Sequence, residues 1–148
     1  MNGSNGEISK PADKKKDLGP PLKILVADDT AVNLALAAKL LKRRGHEITS
    51  VEDGLQAFET FKKASFDVVL MDIHMPVMDG LESTAKIREF EASQPSRPPT
   101  PIIAMTANNE RSDHETYLNS GMNGTITKPL NIKTLVSQIR ETIADFSG

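Results

Sequence analysis

The chain has 148 residues, a formal net charge of −2, and neither cysteine nor tryptophan. That length suits one ordinary domain with a hydrophobic core of its own. The charge excludes a globally basic nucleic-acid-binding surface, the missing cysteines exclude disulfides and thiolate chemistry, and no apolar run reaches the roughly eighteen residues that a membrane-spanning helix needs.

Residues Met1 to Pro21 are rich in Gly, Ser, Asn, Lys, Asp and Pro, with Ile8 and Leu18 as their notable apolar side chains. Such a segment buries too little surface to fold, so residues 1–21 are expected to be a disordered tail and Lys14-Lys15-Lys16 a solvated charge run. No secretory signal opens the chain, and the expected location is the cytoplasm, with the nucleus as an alternative.

After Pro21 the pattern changes. Lys23-Ile24-Leu25-Val26-Ala27 is an apolar run that ends in Asp28-Asp29. A helical period follows, with Val32, Leu36, Ala37, Leu40 and Leu41 on one face and Gly45 closing it. His46 to Val51 alternates polar and apolar residues, as an edge strand does, and Leu55, Phe58 and Phe61 mark a second helix. Phe66 to Met71 is a further apolar run, ending in Asp72, and Leu81 to Phe90 a third helix. Glu91 to Pro101 is long and proline-rich for a link and is expected to be an exposed excursion. Pro101 to Met105 ends in Thr106; Asn109 to Ser120 is a polar fourth helix in which Tyr117 and Leu118 are nearly the only large apolar residues. Gly124 to Thr127 ends in Lys128, and Leu135, Val136, Ile139 and Ile143 give the fifth helix its face.

Strand and helix thus alternate five times, the pattern of a doubly wound α/β domain with a parallel sheet. In such sheets ligands bind beyond the carboxyl ends of the strands. Asp28, Asp29, Asp72, Thr106 and Lys128 all follow strands, so one sheet edge gathers three carboxylates, a hydroxyl and an ammonium. Close carboxylates repel one another unless a cation joins them, and a hard divalent ion with oxygen ligands, Mg²⁺ (or Mn²⁺), suits that set. One carboxylate can then attack phosphorus to give an aspartyl phosphate, with Lys128 and the Thr106 hydroxyl meeting charge on the transferred oxygens. Alone, Asp28 would be a turn residue, Thr106 a helix cap and Lys128 a solvated charge; their joint placement at four strand ends favours a site.

The runs Val26-Ala27-Asp28-Asp29, Val32-Asn33, Met71-Asp72-Ile73-His74-Met75-Pro76-Val77-Met78-Asp79-Gly80, Met105-Thr106-Ala107 and Lys128-Pro129 resemble the receiver domain of two-component response regulators, in the style of those attached to hybrid histidine kinases. The likeness spans about Leu22 to Ile143, and the domain is expected over residues 22–146. It implies a flavodoxin-like, five-stranded parallel sheet in the order 2-1-3-4-5 with five helices. It implies Asp72 as phosphoacceptor, Asp29 as direct metal ligand, Asp28 as second acid, and the backbone carbonyl of His74 as a further ligand. Thr106 and Lys128 would grip the phosphoryl group, a cis bond before Pro129 would aim Lys128, and the small Ala107 would leave the pocket open. The partner implied is a histidine kinase or histidine phosphotransfer domain, with no direct nucleic-acid or membrane contact by this segment and no enzymatic turnover of a separate substrate. Gly80 is expected to need a positive φ, and His46 and His114 to be surface residues. One departure stands out: where the family often has an aromatic residue that swings inward, this chain has Thr125, so its readout is expected to use the loop after Thr106 and the fourth helix instead. An aspartate-nucleophile phosphohydrolase and a flavin mononucleotide module share the architecture. The first usually carries two acids separated by one residue after a single strand, the first of them the nucleophile, whereas here Asp28 and Asp29 are adjacent and the nucleophile candidate follows another strand; the second needs a phosphate-cradling loop where Asp28-Asp29 would repel a phosphate.

Overall fold

The computed structural model describes residues 19–107 and 111–147. The expected disordered tail therefore lies outside the described residues, apart from Gly19 to Pro21, where the Pro20 carbonyl accepts a hydrogen bond from Arg140 at 2.6 Å. The elements run β1 Lys23–Ala27, α1 Ala31–Lys42, β2 Glu47–Val51, α2 Gly54–Lys63, β3 Val68–Asp72, α3 Gly80–Ala92, β4 Ile102–Thr106, α4 Arg111–Asn119, β5 Gly124–Thr127 and α5 Ile132–Ser147. All neighbouring strands pair in parallel, in the order β2-β1-β3-β4-β5. The alternating segment forms the edge strand β2; β3 and β4 lie inside the sheet and are buried at every position.

Alternation along the strands divides the core in two. Leu25, Ala27, Val69, Met71, Ile102 and Ala104 face α2, α3 and α4 and pack on Ala57, Phe61, Ile87 and Tyr117. Ile24, Val26, Val68, Leu70, Ile103 and Met105 face α1 and α5 and pack on Ala37, Leu41, Leu135 and Ile139. With helices on both faces the strands can be apolar throughout, which is why they read as continuous runs.

Several helix faces differ from the sequence expectation. In α1, Val32 is 73% exposed and Leu36 is also exposed, whereas Leu34 and Leu40 join Ala37 and Leu41 against the core. Apolar residues surround much of this helix, so its period alone does not fix the inward face. In α2, Leu55 is exposed and Ala57 takes its place inside. In α4, Leu118 is exposed and Tyr117 is buried.

The proline-rich link is exposed at Ala92 to Ser96, Pro98 and Pro99, as expected of an excursion, but it is tied to the core at Glu91, Arg97 and Thr100. Glu91 closes the buried end of α3, where its carboxylate accepts from Arg88 at 2.7 Å and from the Thr100 amide at 2.8 Å. Arg97 lies over the rings of Phe61 and Phe90 and donates to the carbonyls of Phe61 and Ala64. His46 is also a correction: it is buried, and its Nδ1 accepts from the Leu22 amide at 2.9 Å, joining the start of β1 to the turn before β2. Among the described residues no helix is long and apolar enough to cross a membrane.

Candidate functional site

Two strands, β1 and β3, deliver the three acids to one edge of the sheet. β1 stops at Ala27, and the Asp28 amide still donates to Val51 at 3.2 Å, so Asp28 leaves the sheet in line with the strand. Its carboxylate is almost fully buried and well held: Oδ1 accepts from the Thr30 amide at 2.9 Å, and Oδ2 accepts from Asn33 Nδ2 at 3.2 Å. Asp29, one residue on, is exposed. Asp72 closes β3 and is buried. One oxygen from each of Asp28, Asp29 and Asp72 lies within 4.8 Å of the others, a spacing that a single cation can span.

Lys128 enters from the far side, directly after β5. Its ammonium sits 3.0 Å from Asp28 Oδ2 and 3.2 Å from Asp72 Oδ2. The Lys128 amide donates to the Thr106 carbonyl at 2.8 Å, so the residue that carries the ammonium and the one that carries the hydroxyl share a backbone bond. The Lys128–Pro129 peptide is cis. Thr106, at the end of β4, is buried, and Ala107 beside it is exposed. Asn108 and Asn109, the rest of the loop expected to move, lie outside the described residues.

Charge within this pocket is unbalanced, three carboxylates against one ammonium. Burial, followed by the charge on Asp28, pushes the Asp72 carboxyl above its ordinary range; Lys128 and the Ile73 amide pull it back in part. For Lys128, burial works against the charged form, but its hydrogen bonds and charge contacts with Asp28 and Asp72 outweigh that and hold it above the usual lysine range. The chain's own cation therefore offsets part of the repulsion and leaves room for a second.

The loop after Asp72 is held by backbone contacts. Gly80 donates to the Ile73 carbonyl at 2.8 Å, and a side chain at Gly80 would strike the Asp72 carbonyl oxygen. This close approach, and not a positive φ, is what requires glycine there. The left-handed residue of the loop is Val77, at φ 69°, where Met78 N–H closes a γ-turn onto Pro76 O at 2.7 Å. Gly54, at the start of α2, donates to the Met78 carbonyl at 2.9 Å and is backed by Ser83, whose hydroxyl donates to Gly54 O at 2.8 Å. The His74 side chain is exposed and stands apart from the acidic cluster's three side chains.

Two contacts went unforeseen from the sequence. Thr125 Oγ1 lies 3.2 Å from His114 Nδ1 and 3.3 Å from Nε2, which makes His114 a half-buried partner of β5 and not a plain surface residue. The Tyr117 hydroxyl lies 3.4 Å from Thr106 Oγ1. The signal for both was the i, i+3 spacing of His114 and Tyr117 on one face of a helix otherwise poor in apolar residues.

A family model described as the response regulator receiver domain matches residues 24–140. The chain is 41% identical over 131 residues to the hybrid signal transduction histidine kinase I of Dictyostelium discoideum, a match that takes in 85% of this chain and 7% of that protein. It is 36% identical over 138 residues to the sensor protein GacS of Pseudomonas syringae pv. syringae, covering 90% of this chain and 15% of the relative. The chain thus spans a small part of these curated relatives. Among solved structures, it superposes with a TM-score of 0.81 and 28% identity on a chain of the co-crystal of the Saccharomyces cerevisiae histidine phosphotransfer signalling protein Ypd1 with the receiver domain of its downstream response regulator Ssk1, covering 86% of this chain and 92% of that one. The receiver domain of the sensor histidine kinase PA1611 from Pseudomonas aeruginosa, a structure with a magnesium ion coordinated in the active site cleft, matches with a TM-score of 0.74 and 34% identity, over 84% of this chain and 99% of that one.

Proposed function

The chain belongs to the response regulator receiver domain family, and from that premise we propose that Asp72 is the phosphoacceptor of a two-component phosphorelay and takes its phosphoryl group from a phosphohistidine on a histidine kinase or histidine phosphotransfer domain. The observation that carries this reading is the placement of Asp72 within 4.8 Å of two further carboxylates and 3.2 Å from the Lys128 ammonium, at the carboxyl edge of a parallel sheet.

The donor set of Asp28, Asp29 and Asp72 is all oxygen and anionic, and it fits a hard divalent ion, Mg²⁺ or Mn²⁺, with the His74 carbonyl as a further ligand. When bound, that ion neutralises charge on the pocket's carboxylates and on the incoming phosphoryl oxygens. An Asp72 carboxylate oxygen attacks phosphorus, the new O–P bond forms as the P–N bond breaks, and the electron pair of that bond leaves with the donor imidazole. Lys128, already between Asp28 and Asp72, moves a short distance to meet a phosphoryl oxygen, and the Thr106 hydroxyl donates to another. Asp28, 3.0 Å from the Lys128 ammonium, keeps that ammonium in the pocket as it shifts. Ala107 offers little bulk against an approaching donor. The receiver unit on this reading is residues 22–146.

Incubation with a phosphorylated histidine phosphotransfer protein and Mg²⁺ tests the proposal. Label should pass to the wild-type chain and not to Asp72→Asn. Sustained turnover of a generic phosphomonoester, with no stable label on the chain, would favour a phosphohydrolase instead.

A further inference from the structure

We propose that Tyr117 is a positioning residue that ties the Thr106 hydroxyl to helix α4, so that a phosphoryl group on Asp72 is read out through this one phenol. The inference rests on the reading of Asp72 as phosphoacceptor and names the residue that carries the signal away from it.

Among the side chains described for α4, Tyr117 is the buried one, at 6% exposure, and its ring packs in the cluster that holds Ile87, Ile102, Ala104 and Met122. Leu118 is 52% exposed, so the helix has a single apolar anchor in this stretch. That anchor ends in a hydroxyl 3.4 Å from Thr106 Oγ1, longer than a well-formed hydrogen bond between two oxygens. Such a contact has room to tighten or to break.

A threonine hydroxyl has one proton and two acceptor lone pairs. Once Thr106 donates to a phosphoryl oxygen, its contact with Tyr117 survives only with the phenol as donor. The Thr106 backbone is held at the sheet edge by the Lys128 amide, so the change falls on side-chain rotors more than on the strand. One turn earlier in α4, His114 meets Thr125 Oγ1, so the same helix face touches both the end of β4 and β5. Thr125 has no ring with which to relay the signal. Tyr117 has the ring, the burial and the hydroxyl within reach. The competing account makes Tyr117 a core anchor only, in which case its ring matters and its hydroxyl does not.

Tyr117→Phe separates the two, because it keeps the ring. Beryllofluoride and Mg²⁺ serve as the phosphoryl mimic, with occupancy read from bound fluoride by ¹⁹F NMR and the helix response from amide shifts of residues 113–120. At equal occupancy, the coupling between the site and α4 should fall about fivefold in Tyr117→Phe, the loss expected for one neutral hydrogen bond. A full helix response at wild-type occupancy would overturn the inference while leaving Asp72 as acceptor. No bound fluoride on the wild type would overturn the Asp72 reading, and this inference with it. A second readout uses the wild-type phenol itself: Tyr117 is the only tyrosine and there is no tryptophan, so fluorescence excited near the tyrosine band reports this residue. Beryllofluoride should change that emission in the wild type and in Thr106→Ser, and leave it unchanged in an equally occupied Thr106→Val. Equal emission changes in the Ser and Val variants would also overturn the inference.

Discussion

Replacing Asp72 by Asn should make the metal-free protein more stable. The carboxylate lies within 4.8 Å of an Asp28 oxygen and 3.2 Å from Lys128 Nζ. At an effective dielectric constant of about 20, the first contact repels by ~3.5 kcal/mol and the second attracts by ~5 kcal/mol. Asp29 adds a further repulsion, screened by its exposure, so the charge terms come close to offsetting. The cost of withdrawing a buried carboxylate from water then decides the sign, and it is unfavourable. Asn removes that cost, while Lys128 keeps Asp28 at 3.0 Å. The expected gain is on the order of 1–2 kcal/mol, or about 3–8 °C in Tm for a domain of this size. The pH dependence follows from the raised carboxyl: its ionised form is disfavoured in the folded chain, so the cost is present above the folded pKa and disappears as pH falls below the ordinary value of 3.8. The advantage of Asp72→Asn should therefore shrink on acidification from neutral pH. Mg²⁺ should reverse the order, since a ligand at a hundred times its Kd adds about 2.7 kcal/mol to the protein that binds it. Differential scanning calorimetry with EDTA, across pH, and then with Mg²⁺ measures all three. A metal-free Asp72→Asn that melts below the wild type at neutral pH would show that Lys128 over-compensates and would refute the reasoning.

Asp29→Asn should weaken Mg²⁺ binding more than Asp28→Asn in a calorimetric titration, because Asp28 already accepts from Thr30, Asn33 and Lys128 while Asp29 is exposed; equal or reversed losses would exchange the two roles. Arg88→Ala should cost about 3–5 kcal/mol in urea unfolding, since the guanidinium bonds Glu91, Thr100 O, Gly121 O and Asn123, and its loss strands the buried Glu91 carboxylate; a loss under ~1 kcal/mol would mean that Glu91 finds water. Gly80→Ala should destabilise by about 1–3 kcal/mol and slow labelling of Asp72, because the added methyl meets the Asp72 carbonyl oxygen; unchanged stability would show that the loop yields. Lys128→Met should slow labelling by acetyl phosphate roughly 100-fold, the scale seen when one charge-stabilising donor is removed; a rate near wild type would free Lys128 of that role.

The strands and the pocket were legible because the same physics writes both. Strands buried on two faces must be apolar, so Ile24 to Ala27, Val68 to Met71 and Ile102 to Met105 stand out, and the first charged or hydroxyl residue after each marks the sheet edge. The inward face of α1 was not legible, since Val32, Leu34, Leu36, Leu40 and Leu41 leave no clear polar side and tertiary packing makes the choice. The role of Gly80 was misread because a glycine signals either a positive φ or a close approach, and composition does not separate them. Glu91 and His46 were hidden for a related reason: their burial depends on specific partners, Arg88 and the Thr100 amide in one case and the Leu22 amide in the other. The contact between Thr106 and Tyr117 depends on how α4 lies against β4, which no local pattern states.

The central claim is tested most directly by incubating the intact chain with acetyl phosphate, in Mg²⁺ and in EDTA, and locating the product by mass spectrometry after trapping the acyl phosphate. The account predicts one phosphoryl group per chain, on Asp72, that is absent in EDTA and absent from Asp72→Asn. Modification of Asp28 or Asp29, or labelling of Asp72→Asn at the wild-type level, would contradict it.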